Sequence, residues 1–168
     1  MIIPGKIIAD TRLDSLAQEV KKCKTQGVTP TLAVLLVGDD MASLSYIKQK
    51  QKAAEKIGIS LIFEQLPATI TPIILEGAIS QYNSNPRIHG LIVQRPIPKN
   101  LGDVSKLLDA IDPKKDVDGF VPNSLHQVPV ARAVLAMLEY IHHSLARSDR
   151  PSPVTLSSMR VMNRFIIS

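Results

Sequence analysis

The chain has 168 residues, of which 45% are hydrophobic, 21% are charged and only 4% are aromatic. This length and composition are typical of a soluble domain with an aliphatic core, and no apolar run approaches the roughly 18 residues of a transmembrane helix. The N-terminus has neither a secretory nor a transit-peptide pattern, so a cytoplasmic protein without a membrane partner is expected. With Cys23 as the single cysteine, an intramolecular disulfide and a cysteine-based metal site are excluded.

The net charge of +5 is unevenly distributed along the chain. Residues 142–168 contain four arginines and one aspartate, a net of +3, which leaves +2 on the other residues. That nearly balanced body lacks the interleaved aromatic side chains that stack on bases. We therefore expect no nucleic-acid partner, and the alternative of salt-sensitive binding through the basic tail has little support.

Apolar periodicity predicts alternating helices and strands. The predicted helices cover residues 9–25, 43–58, 71–82, 104–111 and 131–145, and the predicted strands cover residues 31–37, 60–66 and 89–94. This alternation predicts an α/β fold, a three-layer helix-sheet-helix arrangement with a mostly parallel sheet and a βαβαβ core. Ligands bind at the carboxyl ends of such strands, which selects residues 38–40, 66–67 and 94–96 as one rim.

The predicted helix at 43–58 has Ser43 as its expected N-cap and Gly58 just past its end. Three of its four lysines fall on the solvent-facing arc: Lys48, Lys52 and Lys56. Lys50 instead falls on the apolar arc, one turn after Tyr46, at about 100° per residue. An inward lysine beside a tyrosine is a candidate functional pair. The alternative is a lysine whose stem packs while its ammonium reaches water.

Two further patterns could carry chemistry. Gln94 ends an apolar strand before a Pro-Ile-Pro segment, so its amide is expected to point at the rim, unless it is an ordinary strand-end residue. Residues 115–119 place Asp116 and Asp118 two positions apart ahead of a glycine, and the alternative there is an Asx-type turn that satisfies its own backbone. The other ligands of a calcium loop are missing, so no metal site is predicted.

Three blocks occur in order and with plausible spacing. They are Val37-Gly38…Ala42-Ser43…Tyr46-x-x-x-Lys50-x-Lys52-Ala53…Gly58-Ile59, then Gly90-Leu91-Ile92-Val93-Gln94-x-Pro96-Ile97-Pro98, then Lys115-Asp116-Val117-Asp118-Gly119-Phe120. Together they resemble the amino-terminal catalytic domain of the bifunctional methylenetetrahydrofolate dehydrogenase/methenyltetrahydrofolate cyclohydrolase family. The resemblance covers about residues 5–140.

This resemblance implies roles for five side chains in one-carbon metabolism, which also feeds purine biosynthesis. Lys50 would be the catalytic lysine that acts at the bridge between N5 and N10 of the folate, and Gln94 would support it. Tyr46 would stack on or hydrogen-bond the folate, and Asp118 would hydrogen-bond the pterin ring. Lys52, in the same block, is included as a substrate-binding residue. The implied partner is a small-molecule tetrahydrofolate derivative, and a homodimer is possible by family.

Of the family's two activities, we expect hydrolysis of 5,10-methenyltetrahydrofolate to 10-formyltetrahydrofolate to be retained. NADP-dependent oxidation of 5,10-methylenetetrahydrofolate is expected to be lost. The resemblance implies a Rossmann NADP domain in the family's second half, and none of the eight glycines here forms a dinucleotide-type loop. The alternative is a non-catalytic folate- or partner-binding remnant.

The expected organisation is a folate-binding catalytic domain at 1–145 and an unmatched, poorly ordered basic tail at 146–168. We interpret that tail as the result of truncation or a frameshift in a longer gene. The sequence also departs from the family pattern within the matched region. Arg95 stands where the family usually has an apolar residue, and residues 128–133 replace the family's Pro-Cys-Thr-Pro-x-Gly.

Overall fold

The computed structural model describes residues 3–147 of the chain, with side chains described to residue 144. Contacts divide the chain into two compact units. Residues 12–128 form one unit, and the described residues before and after them, 3–11 and 129–147, belong to the other. The candidate site residues named above all lie in the unit of residues 12–128.

That unit contains a sheet of three parallel strands, β1 at Thr31–Val37, β2 at Ser60–Leu66 and β3 at Gly90–Val93, in the order β2-β1-β3. The first two strands have the predicted bounds. The third is shorter than predicted, although Gln94 N still donates to Leu35 O at 2.8 Å. The predicted α/β fold with a parallel sheet is confirmed.

The helices are α1 at Gly5–Thr25, α2 at Met41–Ile57, α3 at Pro72–Ser84, α4 at Val104–Leu108 and α5 at Pro129–Arg147, with a 3₁₀ turn at Lys99–Leu101. The prediction that α4 reaches residue 111 is wrong. Ala110 N and Ile111 N bond to carbonyls three residues back, so the chain continues as tight turns after Leu108.

Two apolar clusters pack on opposite faces of the sheet because successive side chains of a strand point to opposite sides. On one face, Leu35 and its alternate neighbours pack with Leu75 of α3. On the other face, Leu36 packs with Ile47 of α2. β1 is the central strand, and its side chains from Ala33 to Val37 are almost completely buried. Such burial on both faces explains its continuous apolar run.

The segment after α4 docks on the free edge of β3. Leu91 N donates to Lys115 O at 2.8 Å, and Leu91 forms an isolated parallel bridge with Asp116. The Lys115 ammonium reaches the end of α3 and donates to three backbone carbonyls there: Tyr82 O at 3.0 Å, Asn83 O at 2.6 Å and Asn85 O at 2.8 Å. The Lys115 side chain thus caps the last carbonyls of α3, whose C-cap residue is Asn85, and fixes the docked segment.

The other unit contains α5, which is longer at both ends than the predicted 131–145. Large apolar side chains are exposed on it, including Val130, Val134 and Met137. No helix in the described part of the chain is long and apolar enough to cross a bilayer. The predicted tail lies almost wholly outside the described residues, so the proposed boundary near residue 145 stays a prediction.

We predict that Gly119→Ala destabilises the fold. Gly119 has a φ of +68°, and a Cβ there would lie 2.5 Å from His126 O and 2.8 Å from Val128 N. The strained backbone and the collision with main-chain atoms together cost about 2 kcal/mol or more. This corresponds to a fall in Tm of roughly 4–8 °C for a chain of this size. Thermal unfolding followed by circular dichroism measures it.

Gly77→Ala is the matched control, because Gly77 lies within α3 and a Cβ there would meet nothing within 4 Å. It is expected to leave Tm unchanged or raise it, since alanine is the better helix former. Equal Tm values for the two variants would contradict the role given to Gly119.

We predict that Lys115→Met lowers the free energy of unfolding by about 1–3 kcal/mol, because carbonyls at the end of α3 lose their hydrogen-bond donor. Chemical denaturation with urea measures the change. Lys114→Met is the control, since that neighbouring lysine is exposed. A loss as large in the Lys114 variant would show that the cap is not the cause.

Candidate active site

Helix α2 supplies the lysine of the candidate site. It begins at Met41, so the expectation that Ser43 is the N-cap is wrong: Asp40 is the cap, and its carboxylate accepts a hydrogen bond from Ser43 N at 2.7 Å. Gly58 ends the helix as predicted, with a φ of 82°. Ser43 is itself buried and begins an inward stripe at helical spacing that continues through Ile47 and Lys50.

Lys50 is half-buried and hydrogen-bonded to the end of β3. Its Nζ donates to Gln94 Oε1 at 2.9 Å, and Gln94 Nε2 donates in turn to Arg95 O at 2.9 Å. The same carbonyl accepts a bond from Ser43 Oγ at 3.1 Å. Because the Gln94 amide nitrogen is engaged with a carbonyl, its oxygen is the atom left to face the lysine. The structure thus brings Lys50 and Gln94 together.

The two aspartates of the 115–119 segment have different environments. Asp116 is 2% exposed, and its carboxylate accepts bonds from Gly119 N at 3.1 Å and Val121 N at 2.9 Å. It is therefore the turn former that the alternative interpretation required. Asp118 makes no such turn. It is partly buried, and its charge interacts with that of Lys50.

Burial dominates the electrostatics of the Lys50–Asp118 pair. It lowers the pKa of Lys50 below the usual lysine range, and the Asp118 charge acts in the opposite direction. Burial raises the pKa of Asp118; the Lys50 charge opposes that rise, Asp116 adds to it, and Arg95 opposes it. Burial thus disfavours the charged form of both groups, and the opposite charge of each partner limits that effect.

Tyr46 and Lys52 lie outside this hydrogen-bonded group. Tyr46 is on the same helix one turn before Lys50, but 61% of its surface is exposed, so it is not part of the apolar stripe. An exposed ring at the edge of the site could still stack on a flat ligand. Lys52 is exposed and projects about 200° around the helix from Lys50. The substrate-binding roles of both residues stay predictions.

Sequence reasoning missed several residues that shape the site. Arg95 lies with its guanidinium carbon 4.3 Å from the centroid of the Phe120 ring, a cation–π contact between the end of β3 and the loop of Asp118. Ser43 and Lys115 were also given no role in positioning the site residues. Hydrophobic periodicity does not identify such contacts, because they join segments far apart in sequence.

A depression of about 360 Å³ lies at the carboxyl ends of β1 and β2, beside Gly38, Asp39, Gln65 and Pro67. It belongs to the predicted rim, but none of the five predicted site residues lines it. The hydrogen-bonded Lys50–Gln94 pair, not this depression, therefore defines the candidate site.

NADP, which the resemblance implies, does not fit the turns of the described sheet. A pyrophosphate needs free amides at a helix N-terminus. At the start of α2, Asp40 already occupies the amide of Ser43, and Asp39 adds a second carboxylate. The turn after β2, residues 67–71, contains a proline and no glycine, and residues 94–98 directly after β3 contain two prolines and no glycine. Within the described side chains, no cluster of three or more His, Cys, Asp or Glu could hold a metal.

Comparisons with known proteins identify the family of this chain. Residues 3–118 match the family described as tetrahydrofolate dehydrogenase/cyclohydrolase, catalytic domain. The bifunctional protein FolD of Nautilia profundicola is 47% identical over 124 residues, which are 74% of this chain and 43% of that protein. The FolD of Bacillus subtilis is 46% identical over 121 residues, 72% of this chain and 42% of that protein.

Solved structures show the same fold. The FolD methylenetetrahydrofolate dehydrogenase/cyclohydrolase of Campylobacter jejuni superposes with a TM-score of 0.81 at 30% identity, over 84% of this chain and 53% of that one. The Trypanosoma brucei enzyme, solved with NADP cofactor and inhibitor, has a TM-score of 0.67 at 30% identity, over 70% of this chain and 40% of that one.

The chain spans less than half the length of these curated relatives. The family match nevertheless covers well over half of the chain and includes Tyr46, Lys50, Gln94 and Asp118. The protein belongs to the tetrahydrofolate dehydrogenase/cyclohydrolase family, through that family's catalytic domain.

Proposed function

We propose that this chain binds a tetrahydrofolate derivative and hydrolyses 5,10-methenyltetrahydrofolate to 10-formyltetrahydrofolate. The observation that carries the proposal is the half-buried Lys50 ammonium, hydrogen-bonded to Gln94 at 2.9 Å with Asp118 acting on it. This arrangement places a lysine of lowered pKa at the carboxyl ends of parallel strands, where ligands bind in such sheets.

Lys50 is assigned to proton transfer. Burial lowers its pKa, so more of the neutral amine is present near neutral pH than for an exposed lysine. As water attacks the cationic methenyl carbon, the neutral amine accepts the proton that the water loses. Gln94 Oε1 holds the amine by accepting one N–H, which leaves the nitrogen lone pair directed away from that bond.

The second half of the reaction breaks the bond between this carbon and N5. The hydroxyl of the adduct becomes the formyl carbonyl on N10, and N5 takes a proton as the ring opens. The balance is methenyltetrahydrofolate cation plus water giving 10-formyltetrahydrofolate plus one proton. Lys50 is the group in the described site placed to carry protons in both steps, because its pKa is tuned toward neutrality.

Asp118 and Tyr46 are assigned to substrate binding. The Asp118 carboxylate is partly buried, its charge interacts with that of Lys50, and it can accept hydrogen bonds from a pterin ring. Tyr46 presents an exposed ring one turn before the lysine, which can stack on the flat part of a folate. Lys52 is a weaker candidate because it projects away from this pair.

We do not assign NADP-dependent oxidation of 5,10-methylenetetrahydrofolate to these residues. The turn before α2 presents Asp39 and the engaged Asp40 where a pyrophosphate would need free amides. The hydrolytic step needs water and a proton carrier only, so the described residues support it without a second ligand.

We predict that Lys50→Met lowers the protein-dependent rate of methenyltetrahydrofolate hydrolysis by about 10²-fold, the lower range for loss of an acid–base group. Loss of the methenyl absorbance measures the rate after subtraction of the reaction without protein. Lys48→Met is the matched control, since that lysine lies on the exposed face of the same helix and is expected to keep the wild-type rate.

Equal rates for Lys50→Met and the wild type would contradict the role of the lysine. A wild-type chain that is stabilised by folate against heat, yet never exceeds the background rate, would instead support the non-catalytic binding alternative.

We predict that the protein-dependent rate at saturating substrate rises with pH as neutral Lys50 forms. The Asp118 charge raises the Lys50 pKa. Asp118→Asn removes this charge, so the Lys50 pKa falls further and the rising limb moves to lower pH. Rates normalised to each variant's plateau measure the limb position independently of any loss of affinity. A limb that stays in place or moves to higher pH would contradict the proposed coupling.

A further inference from the structure

Arg95 contacts the loop of Asp118 through the Phe120 ring. It follows Gln94 at the end of β3, and its guanidinium carbon is 4.3 Å from the centroid of the Phe120 ring. Phe120 is two residues after Asp118, in the loop that Asp116 fixes through Gly119 N and Val121 N. A planar guanidinium stacked on an aromatic ring keeps its charge and has few orientations. The position of that charge relative to the loop is therefore defined.

Arg95, Asp116 and Asp118 line the same small cavity at the end of β3. Three charges act on Asp118: that of Lys50 from α2 is the largest, followed by that of Asp116 from the same loop and that of Arg95 from the end of β3. The two cations differ in kind. Lys50 has a lowered pKa and must lose its proton to accept one from water, whereas a guanidinium stays protonated at any physiological pH. When Lys50 is neutral, the Asp116 carboxylate and the Arg95 guanidinium are the charges that still act on Asp118 among these groups.

We propose that Arg95 is a positioning residue that keeps Asp118 ionised while Lys50 is neutral. The inference rests on the proposed function of Lys50 as a proton carrier. Without a permanent cation, deprotonation of Lys50 would favour protonation of Asp118, and the carboxylate would lose acceptor capacity toward the substrate at the moment of the reaction. The contact with Phe120 holds the Arg95 guanidinium in place, and the guanidinium provides the permanent positive charge.

The test is an NMR titration of the Asp118 carboxyl carbon in the full chain, with Asp118→Asn used to assign the signal. Lys50→Met serves as the background because it lacks the amine charge at every pH. In that background, Arg95→Gln is expected to shift the Asp118 midpoint to higher pH. Arg95→Lys keeps the positive charge, so it is expected to leave the Asp118 midpoint close to its value in Lys50→Met alone. The shift should shrink in 1 M salt, where the Debye length is about 3 Å.

Phe120→Leu is the second variant. It removes the ring and frees the guanidinium, so a smaller shift in the same direction is expected. Thermal unfolding shows whether each variant is folded. If Arg95→Gln does not fold, the test is made with Phe120→Leu. An unchanged or lowered Asp118 midpoint in the folded Arg95→Gln variant would overturn the proposal. Where Arg95→Gln does not fold, the same result in Phe120→Leu would overturn it. Equal upward shifts in Arg95→Gln and Arg95→Lys would also overturn it, because shape rather than charge would then be responsible.

This titration needs no substrate, so its outcome is separate from that of the proposed function. If Lys50→Met leaves hydrolysis unchanged while Arg95→Gln shifts the midpoint, the proposed function fails and the electrostatic role of Arg95 stands. If hydrolysis depends on Lys50 but the midpoint does not move, the role of Arg95 alone fails.

Discussion

A lysine ammonium that loses part of its water needs another polar group in its place, and this constraint organises the site. Gln94 Oε1 is that replacement for Lys50, at 2.9 Å. The glutamine is held in turn by its own amide nitrogen on Arg95 O, and the backbone of Gln94 still pairs with β1 through Leu35 O. The orientation of the lysine thus depends on the pairing of two parallel strands.

The loop of Asp118 is positioned by a different set of contacts. Leu91 pairs with the Lys115–Asp116 segment as an extension of the sheet edge, and the Lys115 ammonium joins that segment to the last carbonyls of α3. Asp116 then fixes the turn that contains Asp118. The sheet edge, the lysine at the end of α3 and the Asp116 turn together hold the loop that carries the partly buried Asp118.

Sequence reasoning predicted the bounds of β1 and β2 and the inward direction of Lys50, because both follow from periodicity. It could not decide between the interpretations of residues 115–119. Asp116 forms the turn, whereas the charge of Asp118 interacts with that of Lys50, and the substrate-binding role of Asp118 stays a prediction. It misplaced the start of α2, because a carboxylate at Asp40 takes the capping role that a hydroxyl at Ser43 could also have taken.

The atom of residue 95 that orients Gln94 and accepts from Ser43 is its backbone carbonyl, which every amino acid possesses. The hydrogen-bonded frame around Lys50 is therefore independent of the side chain at this position. A substitution at position 95 can therefore change the electric field at Asp118 without disturbing the hydrogen bonds that orient Lys50. At this position the charge of the site and its hydrogen-bonded frame can evolve separately.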